Sequence, residues 1–455
     1  MTSEKSVART IRIAISLAVL VALPVSAIVF IDNPLHARVC ALAAVCLVLW
    51  LSEIVPLFVP TLVLWVGAAM LLRPFGPQYS LSTVLGWSAS PILALFFGGF
   101  ALCVAGEKYG IDRAISNTLV RFSRGKRLLL LLNVMAGTAL LSMWMSNIAA
   151  SAMMLGALAS LLNKLPPGDG FRKALLLGVA FAADFGGMGT PVGTGPNAIA
   201  LAVLEKIRPV SFLQWMIFAV PLTVVMVSVS FALLAVLYKV RGDYVSTADA
   251  AEPAEAIRLL PGGSGVVVIF LCAVAAWLTE PLHGIPAAAV ALLSTVALFA
   301  SARLAPDDLT KMDWNTVLLI AGGLALGEML ETSGLAHEVA LGMPWNHLPP
   351  MLFLFLFVFL AAMLSAVASN TAAAALLIPI GLSLDTSHHF AILVALGTSM
   401  GVPFVISTPP NAMAYGKGGL RPLDLLIPGL ILMLIGCVLL AVTGPWVLNF
   451  LLKGT

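Results

Sequence analysis

Charge is the scarcest property of this chain. Only 10% of its 455 residues are Asp, Glu, Lys or Arg, while 60% are hydrophobic and the mean hydropathy is +1.05. A net charge of +3 is too small to make nucleic acid a partner. Cysteine is also sparse. Cys40, Cys46, Cys103, Cys272 and Cys437 are scattered through apolar segments, and none forms a CxxC pair. That excludes a disulfide framework and a zinc site, and leaves them as small buried hydrophobes. There is no HExxH motif or other catalytic constellation, so the chain does not read as an enzyme. The N-terminus lacks a small-residue cleavage site. The run Ile13 to Ile31 follows Lys5, Arg9 and Arg12 and is longer than a typical signal-peptide core, so it reads as a retained first helix.

What is abundant is apolar sequence in membrane-length runs, and the chain reads as an all-α polytopic membrane protein. Eleven spans are expected near 13–31, 37–54, 56–72, 90–106, 174–204, 213–238, 264–282, 285–302, 314–330, 389–416 and 424–450. Two further apolar stretches, 128–163 and 350–384, have about 35 residues each. As one straight helix each would exceed about 50 Å, against a hydrocarbon core of about 30 Å. Each must fold back, as two short spans or as a re-entrant hairpin.

The few charges orient this layout. With a cytoplasmic N-terminus, and both stretches returning to the side they entered, nineteen of the 24 Lys and Arg residues fall inside. The first hairpin then opens to the cytoplasm and the second to the outside, as an inverted repeat requires.

The repeat is visible in the residues themselves. Gly98-Gly99-Phe100-Ala101-Leu102 matches Gly322-Gly323-Leu324-Ala325-Leu326, and Glu107 and Gly110 match Glu331 and Gly334 at the same offset of 224. Ser146-Asn147-Ile148 matches Ser369-Asn370-Thr371 at 223. Thr194, Pro196, Asn197 and Ala198 match Thr408, Pro410, Asn411 and Ala412 at 214. The polar segment 241–262 is the natural linker between halves.

Polar, Pro- and Gly-rich breaks at membrane depth are tolerated only where backbone is buried in protein or lines a cavity. Paired breaks in two halves point to a transporter binding site. A Ser-Asn-Thr turn at a hairpin tip offers hydroxyls, an amide and the N–H groups of a helix start, which can hold an anionic oxygen. Its oxygens can also ligate a hard cation. The competing reading is that these polar groups are packing glue between spans. No Lys or Arg lies deep in any span of this layout. Partial dipole charges contribute about 0.3–1 kcal/mol each, far less than desolvation of a dianion costs. Co-bound cations would resolve the shortfall, which makes cation-coupled anion uptake the expected function. A channel would need a continuous polar pore instead of discrete midplane breaks.

These motifs together resemble the divalent anion/sodium symporter family over essentially the whole chain. The resemblance implies a homodimer of elevator-type subunits in the cell inner membrane, carrying Na⁺ with a dicarboxylate, citrate or sulfate. It divides the chain into N-terminal scaffold helices (1–127), a first transport half (128–240), the linker (241–262), second scaffold helices (263–347) and a second transport half (348–455). Carried over by motif, one sodium site would use Ser142, Ser146, Asn147 and Gly193. The other would use Ser365, Ala368, Asn370 and Ser407. The anion would contact Asn147, Thr194, Ser369, Asn370, Thr371, Thr408 and Pro409. A C4-dicarboxylate is the first expectation. Sulfate or another small anion, proton coupling and sodium-independent exchange are the alternatives.

Three residues depart from the family pattern. Ile148 stands where Thr is usual, which removes a hydroxyl and argues for a smaller or asymmetric anion. Gly195 stands where Pro is usual. Asp184 sits within a span, where a small neutral residue is typical, and is a candidate coupling residue or a satisfied polar group. Glu107 and Glu331 read as interfacial or hinge-stabilising, and His388 and His389 as headgroup-level residues. Gly323-x-x-x-Gly327 permits close helix packing and is a candidate dimer contact.

Overall fold

The computed structural model describes residues 2–452, except 53, 112, 116–117, 119–125, 242–259, 343–347 and 385–387. The linker expected at 241–262 therefore lies almost wholly outside the described residues. Every element among the described residues is a helix. The chain opens with α1 (Thr2–Phe30), α2 (Pro34–Ser52), α3 (Val59–Gly67) and α4 (Pro91–Lys108). Next come α5 (Arg127–Ser142), α6 (Asn147–Ala157), α7 (Gly170–Gly186), α8 (Gly195–Ile207) and α9 (Phe212–Leu237). The second half supplies α10 (Gly263–Leu278), α11 (Ala287–Ala300), α12 (Trp314–Thr332), α13 (Pro350–Val367), α14 (Asn370–Leu384), α15 (His388–Thr398), α16 (Pro409–Gly416) and α17 (Pro422–Leu452).

Among the described residues, α4, α9, α13 and most of α17 are long and apolar enough, by length and composition, to cross a membrane. The two long apolar stretches do fold back. A short turn at Met143–Ser146 lets α5 pack on α6, and Ala368–Ser369 lets α13 pack on α14. At 11 residues, α6 is about 17 Å long, short of the core thickness. The runs 174–204 and 389–416 are each broken, at Gly187–Thr194 and at Ser399–Thr408. The run 56–72 is not one regular helix. It widens into a π turn at Ala68–Leu72, where Arg38 donates to the Leu71 carbonyl at 2.8 Å and lies over the Phe75 ring.

Local signals set the helix starts. Ser90 accepts from the Ile92 N–H ahead of Pro91. Asp169 accepts from Phe171 and Arg172 N–H groups at 2.7 and 3.1 Å. Ser211 and Gln214 form a capping box at α9. From Ala174 to Gly186 every residue of α7 is buried, so this helix is the centre around which the site is built.

The paired glycines explain how α4 and α12 sit between neighbours. A Cβ on Gly98 would collide with Ala291 of α11, and Gly99 faces Val192 of the first break. A Cβ on Gly322 would collide with Thr61 of α3, and one on Gly323 with Ala375 of α14. Gly327 lies against Pro379 of α14. The Gly323-x-x-x-Gly327 pattern thus serves close packing within the chain, against α14.

On the polar rim, Asp308 of the short helix Pro306–Lys311 receives Lys108 at 2.6 Å and Lys311 at 2.7 Å. The Ala305 N–H and these two ammonium groups hold its carboxyl well below the usual carboxylate range. Lys173 and Asp424 form a second ion pair at 2.8 Å, joining α7 to α17.

Candidate functional site

Each hairpin tip is tied down by the serine that ends its first arm. Ser142 Oγ lies 2.8 Å from Asn147 Oδ1 and 2.6 Å from the Ala183 carbonyl. Ser365 Oγ lies 2.5 Å from both Asn370 Oδ1 and the Thr398 carbonyl. Both serines are fully buried. The Asn side chain is thereby fixed over the end of the broken helix of its own half. Ser146 then caps α6 by accepting from the Ala149 N–H.

The breaks are stapled by asparagines. Asn197 Nδ2 donates to the carbonyls of Gly187, Met188 and Thr190. Asn411 Nδ2 donates to Val402 and Phe404 at 2.9 and 3.0 Å. Gly and Pro interrupt the helical ladder and release these carbonyls, and an amide is the group that collects them. The Thr190 hydroxyl further binds the Met143 carbonyl, and Ser407 binds Ala366 at 2.8 Å, so each break is fastened to its hairpin.

Tips and breaks enclose one cavity of about 700 Å³. All seven residues assigned to the anion lie on its wall: Asn147, Thr194, Ser369, Asn370, Thr371, Thr408 and Pro409. Of the residues assigned to sodium, Ser146, Asn147, Gly193, Ala368, Asn370 and Ser407 line it, while Ser142 and Ser365 stand behind the asparagines. The starts of α6, α8, α14 and α16 therefore converge on one space and bring their partial positive charge to it. α16 contributes that charge without free N–H groups, because Pro409 and Pro410 have none and the Asn411 N–H is taken by Thr408.

Side-chain charge runs the other way. Asp184 and Asp313 both line the cavity, and no Lys, Arg or His does among the described residues. Asp184 is 1% exposed, and its Oδ2 accepts from the Thr408 hydroxyl at 2.8 Å. Thr408 also accepts from the Asn411 N–H, so its hydroxyl is engaged within the protein. Asp313 caps α12, accepting from the Thr316 N–H and hydroxyl.

Part of the wall is apolar. Ile148 is 48% exposed, Val367 54% and Ile406 76%, and all three border the cavity. Gly195 leaves the space that Thr371 occupies, since a Cβ there would overlap the Thr371 side chain. Sequence reasoning missed the wall opposite the tips. Leu57, Phe96, Phe100, Asp313, Asn315, Thr316 and Leu319 form it. An acidic residue immediately before the apolar run 314–330 was the available signal. It also missed a stack at the first tip. Trp144 lies parallel to Phe212 of α9 and Trp277 of α10, with ring centroids 6.2 Å away in each case. Glu331 borders a second cavity of about 590 Å³ with Glu205, Glu328 and Lys206, the last two ion-paired.

Four helix starts, two broken helices and two hairpins around one space define a multi-pass membrane transporter of the helical, repeat-built class. The sequence pattern of the citrate transporter family matches residues 47–390, and the chain belongs to that family. It is 26% identical over 423 residues to the sodium-dependent dicarboxylate transporter SdcS of Staphylococcus saprophyticus, with 81% of this chain and 78% of that one covered. It is also 26% identical over 403 residues to the inorganic phosphate transporter PHO87 of Saccharomyces cerevisiae, covering 84% of this chain and 43% of that one. The fold is similar to that of the Alcanivorax borkumensis YdaH transporter, with a TM-score of 0.56, 17% identity, and 90% and 98% of the two chains covered.

Proposed function

We propose that the protein is a sodium-coupled symporter that imports a small divalent anion, a C4-dicarboxylate first among them. The observation that carries this is the charge of the cavity. Four helix starts face it, two carboxylates line it, and no cationic side chain does among the described residues. The helix starts together contribute a few kcal/mol at about 0.3–1 kcal/mol each. Desolvating a dianion costs several kcal/mol per charge, and the two carboxylates add repulsion. Cations bound with the anion supply the missing attraction, and oxygen-rich tips suit a hard cation.

The partly apolar wall of Ile148, Val367 and Ile406 favours an anion with a carbon backbone over sulfate or phosphate. In this reading α1–α4 and α10–α12 form the scaffold, and the two hairpins with their broken helices and α9 and α17 form the moving unit. About eleven spans, an inverted repeat, a homodimer, an inner-membrane location and a cytoplasmic N-terminus belong to the same proposal. Movement of the whole cavity past the scaffold exposes it to each side in turn.

Uptake by purified protein in liposomes tests the reading. Succinate, malate, citrate, sulfate, phosphate and a monocarboxylate are each offered with a gradient of Na⁺, K⁺ or H⁺ alone. Saturable dicarboxylate uptake driven by sodium is expected. Full transport in sodium-free buffer at fixed pH would refute sodium coupling. Conversion of the internalised substrate would revive an enzymatic role.

A further inference from the structure

We propose that Asp184 is the charged ligand of a cation pocket in the first half, whose counterpart in the second half is built from neutral oxygens alone. This rests on the cation-coupled reading above and adds which half holds its cation without help from the anion. Asp184 lines the cavity and lies against the Asn147 side chain; its Oδ2 is taken by the Thr408 hydroxyl, while Oδ1 is buried and meets no donor at hydrogen-bond geometry. A buried carboxylate oxygen left bare is costly unless a positive charge meets it.

Other oxygens gather nearby. A Cβ on Gly187, three residues on from Asp184, would collide with Asn147 Oδ1 and crowd the Gly193 carbonyl. Glycine at 187 therefore lets the Asn147 amide oxygen and the Gly193 carbonyl pack directly against the helix, one turn on from Asp184. Three kinds of oxygen, one of them anionic, make a donor set for a hard monovalent cation.

The second half has the same frame without the charge. Ala183 and Thr398 each offer the carbonyl that receives the hairpin serine. The residue that follows is Asp184 in one half and Ser399 in the other. Ser399 is 2% exposed and its hydroxyl is likewise without a partner, so both positions present an unanswered polar atom. A carboxylate belonging to the protein attracts a cation whether or not the anion is present. A pocket of neutral dipoles holds one well only when the anion's charge is added. The first cation therefore binds before the anion, and the second binds with it.

Binding of radioactive sodium to the purified full chain tests this directly, with and without saturating succinate. One class of sites is expected without succinate and a further one with it. Equal sodium occupancy in both conditions overturns the ordering. Thermal unfolding against sodium, with choline holding ionic strength and no dicarboxylate present, supplies the residue-level readout. Saturable stabilisation is expected, with a midpoint that Asp184→Asn moves to roughly tenfold to a hundredfold higher sodium. Asp184→Glu, which keeps the charge, is expected to shift it less. An unchanged midpoint in Asp184→Asn overturns the proposal, and sodium-driven uptake in liposomes is judged separately by its own experiment. Stabilisation of the native chain by acid and not by sodium, between about pH 5 and 8, also overturns it, because the carboxyl then carries a proton.

Discussion

Ser142 and Ser365 occupy equivalent places and make equivalent bonds, each reaching its own asparagine and the carbonyl at the end of a broken helix. Two residues further along, the halves part. Trp144 lies in a stack with Phe212 and Trp277, whereas the equivalent Val367 is 54% exposed on the cavity wall. Ile148 presents an apolar side chain to the cavity where Thr371 presents a hydroxyl tucked against Gly195. The buried frame is the same in both halves, and so are Asn147 and Asn370, and Thr194 and Thr408, on the cavity wall, whereas Trp144 and Val367, and Ile148 and Thr371, differ. A duplicated fold tolerates divergence where contacts are with other things, and resists it where backbone groups must be satisfied.

The comparison is most exposed to failure at the asparagines. Asn147→Ala and Asn370→Ala are each expected to reduce uptake by roughly a hundredfold or more, since each removes a polar group of the cavity wall, the proposed cation ligand, and its buried serine partner's acceptor. Retention of transport by either variant, in protein that still elutes as one species, would show that the two frames are not equivalent in use.

The next effect separates the tips. Trp144→Ala is expected to lower stability by about 2–3 kcal/mol, while Val367→Ala costs about 1 kcal/mol or less. Scanning fluorimetry in detergent reads both. Similar losses for the two would mean that the aromatic stack holds nothing in place.

A smaller effect concerns selectivity. Ile148→Thr is expected to tighten succinate by about tenfold relative to sulfate, through one added hydrogen bond to a charged oxygen. Thr371→Val should weaken both anions. Competition constants decide, and an unaltered succinate-to-sulfate ratio in Ile148→Thr would move that side chain off the cargo.

The smallest is at the rim. Lys108→Met is expected to cost about 1 kcal/mol or less, since its ammonium is partly exposed. The pH dependence has a definite sign. Asp308 is ionised at a lower pH in the folded protein than in the unfolded chain. Its contribution is fully present above the unfolded carboxylate value of about 3.9 and is lost as pH falls through the folded one. The melting difference between native protein and Asp308→Asn should thus stay level from about pH 8 to 5 and shrink below about pH 4.

Much of this arrangement was legible because membranes restrict what backbone can do. An apolar run of about 35 residues has to fold back, and Thr-x-Pro-Asn inside an apolar run has to break the helix. These arguments need only local sequence, and both hairpins and both breaks stand where they were expected. The wall formed by Phe96, Phe100 and Asn315 was not legible, because those side chains meet the tips only after helices far apart in sequence pack. The bond from Thr408 to Asp184 spans 224 positions for the same reason. Gly323 and Gly327 show the converse. Their spacing announced a close contact correctly and said nothing of whether the partner was α14 or another chain.

The glycine pairs of α4 and α12 have a mechanical consequence. Interlocked side chains make two helices behave like meshed gears, which slip only by jumping a whole turn. A face of Gly98 and Gly99, or of Gly322 and Gly323, has no teeth. In the proposed elevator reading, scaffold lies on one side of each pair and transport elements on the other, and these faces would act as plain bearings. Friction along the path would then be set by the lipid and the hinges rather than by successive unlocking of knobs from holes.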